Sequence, residues 1–356
     1  MSITLEPARF MTRRLAVALV VGILTGCRES GEIAGANATV SMQQVAFADS
    51  YRLVDSIRLA QPDSAPLVRI SGLDFDQSGR LAVADASEGK VRLYDRSGRL
   101  LRTLGRKGEG PGEFSQPRFP RFTADGGLYI GDGQAGRVSR FDSAGSFKRV
   151  FSKPVIPIMG FELTPTGLAL TGSGDGEQVL LRGDTTGGGE RWLLDARRLR
   201  PRADPDSPAW RFVTQNWLAS GADSLFVVTT VSDSIWSIPL DGDTIIATRL
   251  DVPGYIQPKA GQELPRGAKG ISEWQKTFHI AAKVIATDDI LAIPFVQGIL
   301  NYGDPMILAI RHRGRPWVAI TGAPPIVHAL GDTLVGLLHP DEDPPTLGLF
   351  VPASGR

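Results

Sequence analysis

The feature that most constrains the fold is an internal repeat of 47 residues. Phe75 aligns with Phe122 and Gly79 with Gly126, and the same offset joins a whole series of positions between residues 75–105 and residues 122–151. The other matched pairs are Leu81 with Leu128, Asp85 with Asp132, Gly89 with Gly136, Val91 with Val138, Tyr94 with Phe141, Asp95 with Asp142, and Gly98 with Gly145. A period of this length is typical of proteins built from one stacked supersecondary unit.

Each repeat has the pattern of short antiparallel strands. Leu81 and Val83, then Val91 and Leu93, alternate with other residues as half-buried strands do. Asp-Gly, Ser-Gly and Ala-Gly pairs between these runs favour tight hairpins. Four short strands at this period predict one blade of a β-propeller.

Degenerate copies of the unit extend to the end of the chain, and their number predicts six blades. They are "GFELTPTGLALTGS", "ADSLFVVTTVSDSIWSIPLDGD", "DDILAIPFVQG" with "PMILAIRHRGRPWVAI", and "IVHALGDTLVGLLHPDEDPPTLGLFVP". The last copy is one strand short, and "YRLVDSIRLA" (residues 51–60) stands before the first complete repeat. We expect this N-terminal strand to complete the last blade, which closes the ring and removes exposed sheet edges. The predicted fold is all-β, a six-bladed β-propeller of four-stranded antiparallel blades over residues 45–353.

Residues 67–151 resemble the NHL repeat, the unit of many six-bladed propellers. The resemblance rests on "GEGPGEFSQP" leading into "TADGGLYIGD" and then "RVSRFDSAG". Six-bladed lactonases, a related group, carry a Glu/Asn/Asp metal set at the hub. Asn216 and Asn301 do not stand in that motif, so the resemblance implies no metal here.

The N-terminus has the pattern of an export signal. Arg13 and Arg14 precede an apolar run over residues 15–24, and small residues lead to Cys27 in "LTGC". The run is too short to span a membrane, which takes about 20 residues. "LTGC" resembles the bacterial lipobox, so we expect a signal peptide over residues 1–26, lipid on Cys27 and a flexible tether over residues 27–44. An ordinary signal peptide is the alternative, and either Met1 or Met11 is the start.

The charge balance excludes a nucleic-acid partner. The formal net charge is +1, without the basic face that nucleic acid requires. The arginine-rich "RWLLDARRLRPR" is followed by "ADPDSP" and is interpreted as a solvated loop. We expect a monomer that contacts the membrane only through its lipid and binds an envelope protein, peptide or glycan.

The glycine-rich "LGRKGEGPGEFSQP" looks like a phosphate loop but lacks its chemistry. Pro111 and Gly112 stand where a P-loop has Lys and Ser or Thr, and Glu113 occupies the last glycine position of G-x-G-x-x-G. The stretch is therefore predicted to be the crossover between blades one and two, where glycines allow sharp turns.

"DFDQSGRLAVAD" spaces its acids as a calcium loop does, at Asp74, Asp76 and Asp85. The next repeat loses the pattern, with Arg121 and Thr123 at the first two of these positions. The segment is therefore predicted to be a hairpin without calcium.

Catalytic motifs are sparse. There is no G-x-S-x-G, and the four histidines (His279, His312, His328 and His339) have no metal-ligand spacing. His339 beside "DED" is interpreted as a solvated loop. Trp274, Phe278 and residues 280–284 predict a short helix that packs on blade five. No catalytic residue, metal or cofactor is predicted.

The loops that join second to third strands, and one blade to the next, emerge on the same side of a propeller. We call this the loop-rich side. It is the candidate binding face, and its predicted residues are Asp85, Glu88, Lys90, Arg106, Lys107, Asp132, Gln134, Arg137, Asp233, Asp341 and Glu342. Two functions remain open: a lipid-anchored, non-enzymatic binding scaffold of the cell envelope, or a hub-centred hydrolase or lyase of lactonase type with a metal in the channel.

Overall fold

The structure of the protein, a computed structural model, describes residues 38–62, 66–172, 178–186, 188–199, 215–257, 265, 267–298, 306–339 and 344–353. The predicted signal peptide and Cys27 lie outside these residues. No helix in the described ranges is long and apolar enough to cross a membrane.

The described part of the chain begins with a segment whose three strands join three different blades. Its elements are β1 (Ala38–Ser41), β2 (Gln43–Ala46), α1 (Phe47–Ser50) and β3 (Tyr51–Arg58).

The first three blades follow as regular four-stranded antiparallel sheets. Blade 1 contains β4 (Ile70–Phe75), β5 (Leu81–Asp85), β6 (Lys90–Tyr94) and β7 (Leu100–Leu104). Blade 2 contains β8 (Pro117–Phe122), β9 (Leu128–Asp132), β10 (Arg137–Phe141) and β11 (Phe147–Ser152). Blade 3 contains β12 (Ile158–Thr164), β13 (Gly167–Gly172), β14 (Gln178–Gly183) and β15 (Arg191–Asp195), followed by the short helix α2 (Ala196–Leu199).

The last three blades keep the same order of strands and borrow strands from the N-terminus. Blade 4 contains β16 (Asn216–Ser220), β17 (Ser224–Thr229), β18 (Ser234–Pro239) and β19 (Ile246–Asp251), and the helix α3 (Gly267–Gln275) comes next. Blade 5 contains β20 (His279–Ala281), β21 (Ile285–Ala286), β22 (Ile290–Gln297), β23 (Met306–His312) and β24 (Val318–Ala323). Blade 6 contains β25 (Ile326–Leu330), β26 (Thr333–Leu338) and β27 (Thr346–Pro352), with β3 as its outer strand.

The predicted ring closure is confirmed. β3 pairs antiparallel with β27, from Arg58 opposite Thr346 to Tyr51 opposite Pro352. The outer strand of the last blade therefore comes from the N-terminus, and β27 is paired on both sides like the third strands of the other blades.

The N-terminal pairing extends further than the sequence indicated. β1 pairs parallel with β19, and β2 pairs parallel with β24. The predicted tether over residues 27–44 is corrected by this pairing, because residues 38–41 and 43–46 form strands on the outer edges of blades 4 and 5. Polar, exposed strands such as these gave no alternation signal, since they bury little apolar surface.

The hydrophobic core lies between the blades rather than in one centre. Each neighbouring pair of blades encloses a cluster of buried apolar side chains, so six clusters follow the ring in the described residues. Leu81 and Val83 pack with Val335 and Leu337 between blades 1 and 6, for example. The alternating residues of the repeat thus serve as contacts between sheets.

A helix is present before blade five, but it covers Gly267–Gln275 and contains only Trp274 of the residues predicted to form its apolar face. Trp274 at the end of α3 packs edge-on against Phe278, with ring centroids 4.7 Å apart, and both side chains are buried in the cluster between blades 5 and 6. Ile280 belongs to strand β20 and not to the helix. The tertiary context overrides the helical spacing here, because this segment supplies the inner strand of blade 5.

Candidate functional site

The inner strands of the first three blades place a charged residue at one shared position. Asp74 lies opposite Ala82, Arg121 opposite Tyr129 and Glu162 opposite Ala169 in the registers of the first two strands of each blade. Each of the three stands five residues before the glycine that follows its strand. Together with Lys283 and His328 these residues form a group at the hub, which we call the hub cluster.

Arg121 and Glu162 form a bidentate ion pair between blades 2 and 3. Arg121 Nε donates to Glu162 Oε2 at 2.8 Å, and Nη2 donates to Oε1 at 2.6 Å. Both side chains are largely buried, with 18% and 11% exposed. A fork-to-fork contact of this kind fixes the orientation of both groups as well as stabilising them.

Asp74 lies beside this pair and beside His328. Its Oδ2 accepts the backbone N–H of Phe122 at 2.7 Å, and its Oδ1 is 3.7 Å from His328 Nε2, which is too long for a hydrogen bond. Burial raises the pKa of Asp74 to about 6, against the opposing charge of Arg121. Burial and the charges of Lys283 and Arg121 hold the pKa of His328 well below its usual range, so the imidazole is neutral at pH 7.

Lys283 connects the two short pieces of the inner strand of blade 5. Its Nζ donates to the backbone carbonyl of Val327 at 2.5 Å. Burial lowers its pKa to about 8, with Arg121 acting in the same direction and Glu162 and Asp74 opposing. The ammonium is therefore charged at pH 7 but within reach of deprotonation.

Asp74 and Lys283 are the members of the hub cluster suited to hold or transfer protons, because burial moves their pKa values nearer neutrality than usual. Within the described ranges, no three His, Cys, Asp or Glu side chains come together in a group that could hold a metal ion.

A cavity of about 360 Å3 lies at the hub, and we call it the channel-mouth cavity. Arg69 and Arg118, just before and within inner strands, line it together with Gln215, Thr230 and Lys283. Its position at the starts of the inner strands places it on the loop-rich side. Trp217, Phe119, Ile280 and Met306 supply apolar walls.

Two residues of the predicted binding face are buried and serve the fold instead. Asp85 accepts the backbone N–H groups of Val68 and Ser87, and Asp132 accepts those of Ser115 and Gln116 at 2.8 and 2.7 Å. Both carboxylates are fully buried. Each ends the second strand of its blade and binds the incoming crossover, so neither is available to a partner.

Arg137 has the same structural role in blade 2. Its guanidinium donates to the carbonyl oxygens of Gly108, Glu109 and Glu113 and contacts Asp132 at 3.3 Å. Only 11% of its side chain is exposed. This arginine anchors the glycine-rich crossover to the neighbouring loop.

The remaining predicted face residues are accessible to different degrees. Lys107 and Gln134 are exposed, Lys90 pairs with Glu88 at 3.1 Å, and Arg106 pairs with Glu113. Asp233 is mostly covered and contacts Arg249 at 2.9 Å. Asp341 and Glu342 lie outside the described residues.

The glycine-rich crossover has the structural role that its sequence indicates. Phe114 is fully buried against Phe141, and Gly105 has φ +72° with the Phe114 ring 2.4 Å from the place of a Cβ atom. Glu113 accepts the backbone N–H of Gly110 at 2.9 Å. The Glu113 carboxylate therefore accepts a hydrogen bond from the loop's own amide, where a bound phosphate would accept one in a phosphate loop.

The segment with calcium-like spacing is a hairpin. Asp76 accepts the N–H groups of Ser78 and Arg80 within the turn, whereas Asp74 points its carboxylate to Phe122 and Asp85 binds the crossover. The three carboxylates therefore bind three different parts of the backbone and do not converge on one point.

The histidines lie apart from one another. His312 Nε2 contacts the hydroxyl of Tyr51 at 2.9 Å, and His279 Nδ1 accepts the N–H of Ile256 at 2.9 Å. His339 has φ +49°, and residues 340–343 beside it are outside the described ranges. Asn216 begins the inner strand of blade 4, where its carbonyl accepts Thr171 Oγ1 at 2.6 Å, and Asn301 is not described.

Sequence reasoning missed the hub cluster, although a signal for it existed. Asp74 aligns with Arg121 in the 47-residue repeat, and Glu162 holds the same place before its glycine. A charged residue at a constant position of an inner strand indicates a group facing the channel. Lys283 and His328 stand in degenerate blades and carried no such signal.

Comparisons with known proteins agree with the architecture. The family model DUF5128, described as a 6-bladed beta-propeller, matches residues 29–163. No curated protein sequence matches the chain.

Two solved structures share the fold at low sequence identity. A Bacteroides fragilis protein named as exported superposes with a TM-score of 0.62 and 11% identity, covering 89% of this chain and 100% of its own. A DUF4221 family member from Bacteroides vulgatus gives a TM-score of 0.62 and 10% identity, covering 86% and 99%. At these identities the likeness bears on the fold alone. The six strand-built blades, the N-terminal closing strand and the family match together identify the chain as a six-bladed β-propeller.

Proposed function

We propose that the protein is an exported, lipid-anchored binding propeller of the cell envelope that captures a protein, peptide or glycan without transforming it. The observation that carries the proposal is the channel-mouth cavity, which is lined by residues of five blades, mostly on or beside their inner strands, on the loop-rich side. A concave site with apolar walls and a few convergent polar groups is the usual form of a ligand site.

The surroundings of the cavity support this use. The second strands of blades 1 and 2 end in buried aspartates that accept backbone N–H groups of the crossovers, so these two crossovers are anchored beside the mouth. Recognition residues commonly stand on loops that a rigid scaffold positions. Lys107 is exposed on this side, and Lys90 is partly exposed there and pairs with Glu88 of the same loop at 3.1 Å.

Capture of a partner should depend on the loop-rich side. We expect the double variant Lys90→Glu and Lys107→Glu to retain less partner from envelope extracts than wild type, with an unchanged melting temperature. The matched control reverses two exposed arginines at the opposite side, Arg96→Glu and Arg315→Glu, and should capture normally. Loss of capture in the control but not in the first variant would show that the partner binds the opposite side of the propeller.

The proposal of a lipid anchor rests on the N-terminal sequence. Export is supported by the basic and apolar pattern of residues 13–24, and lipidation by the single cysteine in "LTGC". The structural relative from Bacteroides fragilis is also named as exported. The first described strand pairing is at Ala38, eleven positions after Cys27 in the sequence.

Replacement of the cysteine tests the anchor directly. We expect wild type to partition into the detergent phase of a Triton X-114 extraction and Cys27→Ser to appear in the aqueous phase or as unprocessed precursor. Identical partitioning of the two proteins would contradict the lipoprotein assignment.

The hub cluster favours a second candidate, a hub-centred hydrolase or lyase of lactonase type. Asp74, with a pKa of about 6, and Lys283, with a pKa of about 8, are suited to general acid–base chemistry near neutral pH. A captured ligand that is recovered cleaved by wild type, but intact from Asp74→Asn, would favour this enzyme over the binding scaffold.

A further inference from the structure

The channel-mouth cavity has a one-sided charge. Its described lining includes three basic side chains, Arg69, Arg118 and Lys283, and no acidic one. Among the described residues, neither Arg69 nor Arg118 lies within 4.0 Å of a carboxylate oxygen, whereas Arg121, on the same inner strand as Arg118, is paired with Glu162. The cavity therefore gathers positive charge, and its own described lining supplies no carboxylate to the two arginines.

Arg118 is the group best placed to bind an anion. It lies on the inner strand of blade 2, is half-buried, and uses Nη2 for a single hydrogen bond to Gln116 Oε1 at 3.1 Å. Burial lowers its pKa, and the charge of Arg69 acts in the same direction, as expected when two guanidiniums lie close enough to repel each other. An anion between them would relieve that repulsion.

Lys283 adds a third positive group at the boundary between the cavity and the hub cluster. Its Nζ is held by the carbonyl of Val327, so the ammonium keeps a fixed position. The carboxylates of Glu162 and Asp74 affect its charge from the hub side, but they do not line the cavity.

Other walls of the cavity are apolar and therefore favour an anion that carries an apolar group. Trp217, Phe119 and Met306 present apolar surface, and the Trp217 indole N–H is already donated to the carbonyl of Ala281 at 2.8 Å. A cavity of about 360 Å3 is at the lower end of the range for small-ligand sites, which begins at about 300 Å3. It has room for a head group and one large apolar side group.

We propose that the channel-mouth cavity binds a carboxylate joined to an apolar body, with the carboxylate held by Arg118 and Arg69 and the body against Trp217 and Phe119. A planar carboxylate matches the guanidinium fork in two parallel hydrogen bonds, which a compact ammonium could not provide. The inference rests on the proposed binding function and names its ligand class. Two sources supply this chemistry: the C-terminus of a peptide that ends in an aromatic residue, and a free aryl-alkanoic acid.

Calorimetric titration of the purified full chain tests both sources. The probes are an acetylated alanyl-alanyl-phenylalanine peptide with a free carboxylate, the same peptide as its amide, phenylbutanoate, and phenylbutanol. We expect at least one acid to bind and its neutral counterpart to bind about tenfold or more weakly. The acid with the higher affinity identifies the source.

Variants of the cavity give the second arm of the test. Arg118→Gln should weaken the acid by about tenfold or more, and Arg69→Gln, at an exposed position, by severalfold. Arg96→Gln on the opposite side is the matched control and should bind as wild type. Because Arg69 is exposed, its variant remains informative if Arg118→Gln folds poorly.

Equal affinity for acid and neutral probe, unchanged binding in both arginine variants, or no binding of either acid at millimolar concentration would overturn the inference. These outcomes do not by themselves test the proposed binding function, because its capture experiment depends on Lys90 and Lys107, which do not line the cavity. Capture that depends on these two lysines, together with a cavity indifferent to carboxylates, would reject the ligand class alone.

Discussion

A chain that begins at residue 60 is expected to lose its cooperative thermal unfolding. A chain that begins at residue 38 should have the same melting temperature as a chain that begins at residue 28. The first truncation removes β3, which forms the whole outer strand of blade 6. It also removes four buried apolar side chains, namely Phe47, Tyr51, Ile57 and Leu59.

The expected loss of unfolding free energy is comparable to the total stability of a globular domain. Burial of one large apolar side chain contributes about 2 kcal/mol, so these four contribute about 8 kcal/mol. Globular proteins are stable by about 5–15 kcal/mol in total. Removal of β3 also leaves the backbone groups of β27 unpaired at a hydrophobic edge, which favours aggregation.

An intermediate truncation separates closure from the additional parallel strands. A chain that begins at residue 47 loses β1 and β2, whose side chains are exposed or half-buried, so its melting temperature should fall by only a few degrees. Differential scanning calorimetry of the three chains is the measurement. If the chain from residue 60 melts within a few degrees of the chain from residue 38, closure by β3 does not stabilise the ring.

The substitution Asp74→Asn should stabilise the protein at pH 8 by about 3 kcal/mol and have little effect near pH 3.5. The pKa of Asp74 is about 6 in the folded chain, against an ordinary value of 3.8. A difference of this size corresponds to about 3 kcal/mol at 1.36 kcal/mol for each pH unit.

The direction follows from which state binds the proton more tightly. Because the pKa is raised on folding, the contribution of Asp74 to stability is fully present below pH 3.8 and is lost as the pH rises through 6. Asparagine stays neutral at every pH and can still accept the N–H of Phe122 with its Oδ1 atom. The difference between the two proteins should therefore develop between about pH 4 and pH 7.

Urea unfolding of both proteins at pH 4, 6 and 8 measures this difference, since other titrating groups cancel in the comparison. Asp76→Asn is a control with the opposite sign. Burial opposes the charge of Asp76, but hydrogen bonds from Ser78 and Arg80 lower its pKa, so its variant should be destabilised at high pH. A pH-independent effect of Asp74→Asn would show that the carboxyl is not held in a proton-binding environment.

The repeat in the sequence determined the blades, their number and the closure of the ring. Apolar residues at alternate positions, as in Leu81 and Val83, had to face a neighbouring sheet, and glycines such as Gly79 had to adopt the positive φ of the hairpin. These are local requirements of strands and turns, so a single chain displays them directly. The last unit lacked one strand, and one strand-like segment stood before the first unit. Pairing the two completed six blades of four strands, so the sequence predicted the closure of the ring.

Only the tertiary structure decided which side chains meet at the hub. Asp74, Arg121 and Glu162 stand in three separate blades, and Lys283 and His328 in two others. Their shared environment arises because the ring brings the inner strands of five blades to one axis, where burial changes their pKa values. The fold also overturned the expectation for Asp85 and Asp132, whose carboxylates looked suitable for recognition but accept backbone N–H groups of the crossovers that lead into their own blades. Local pattern fixes the strands, whereas contacts between residues far apart in the chain determine charge, burial and access.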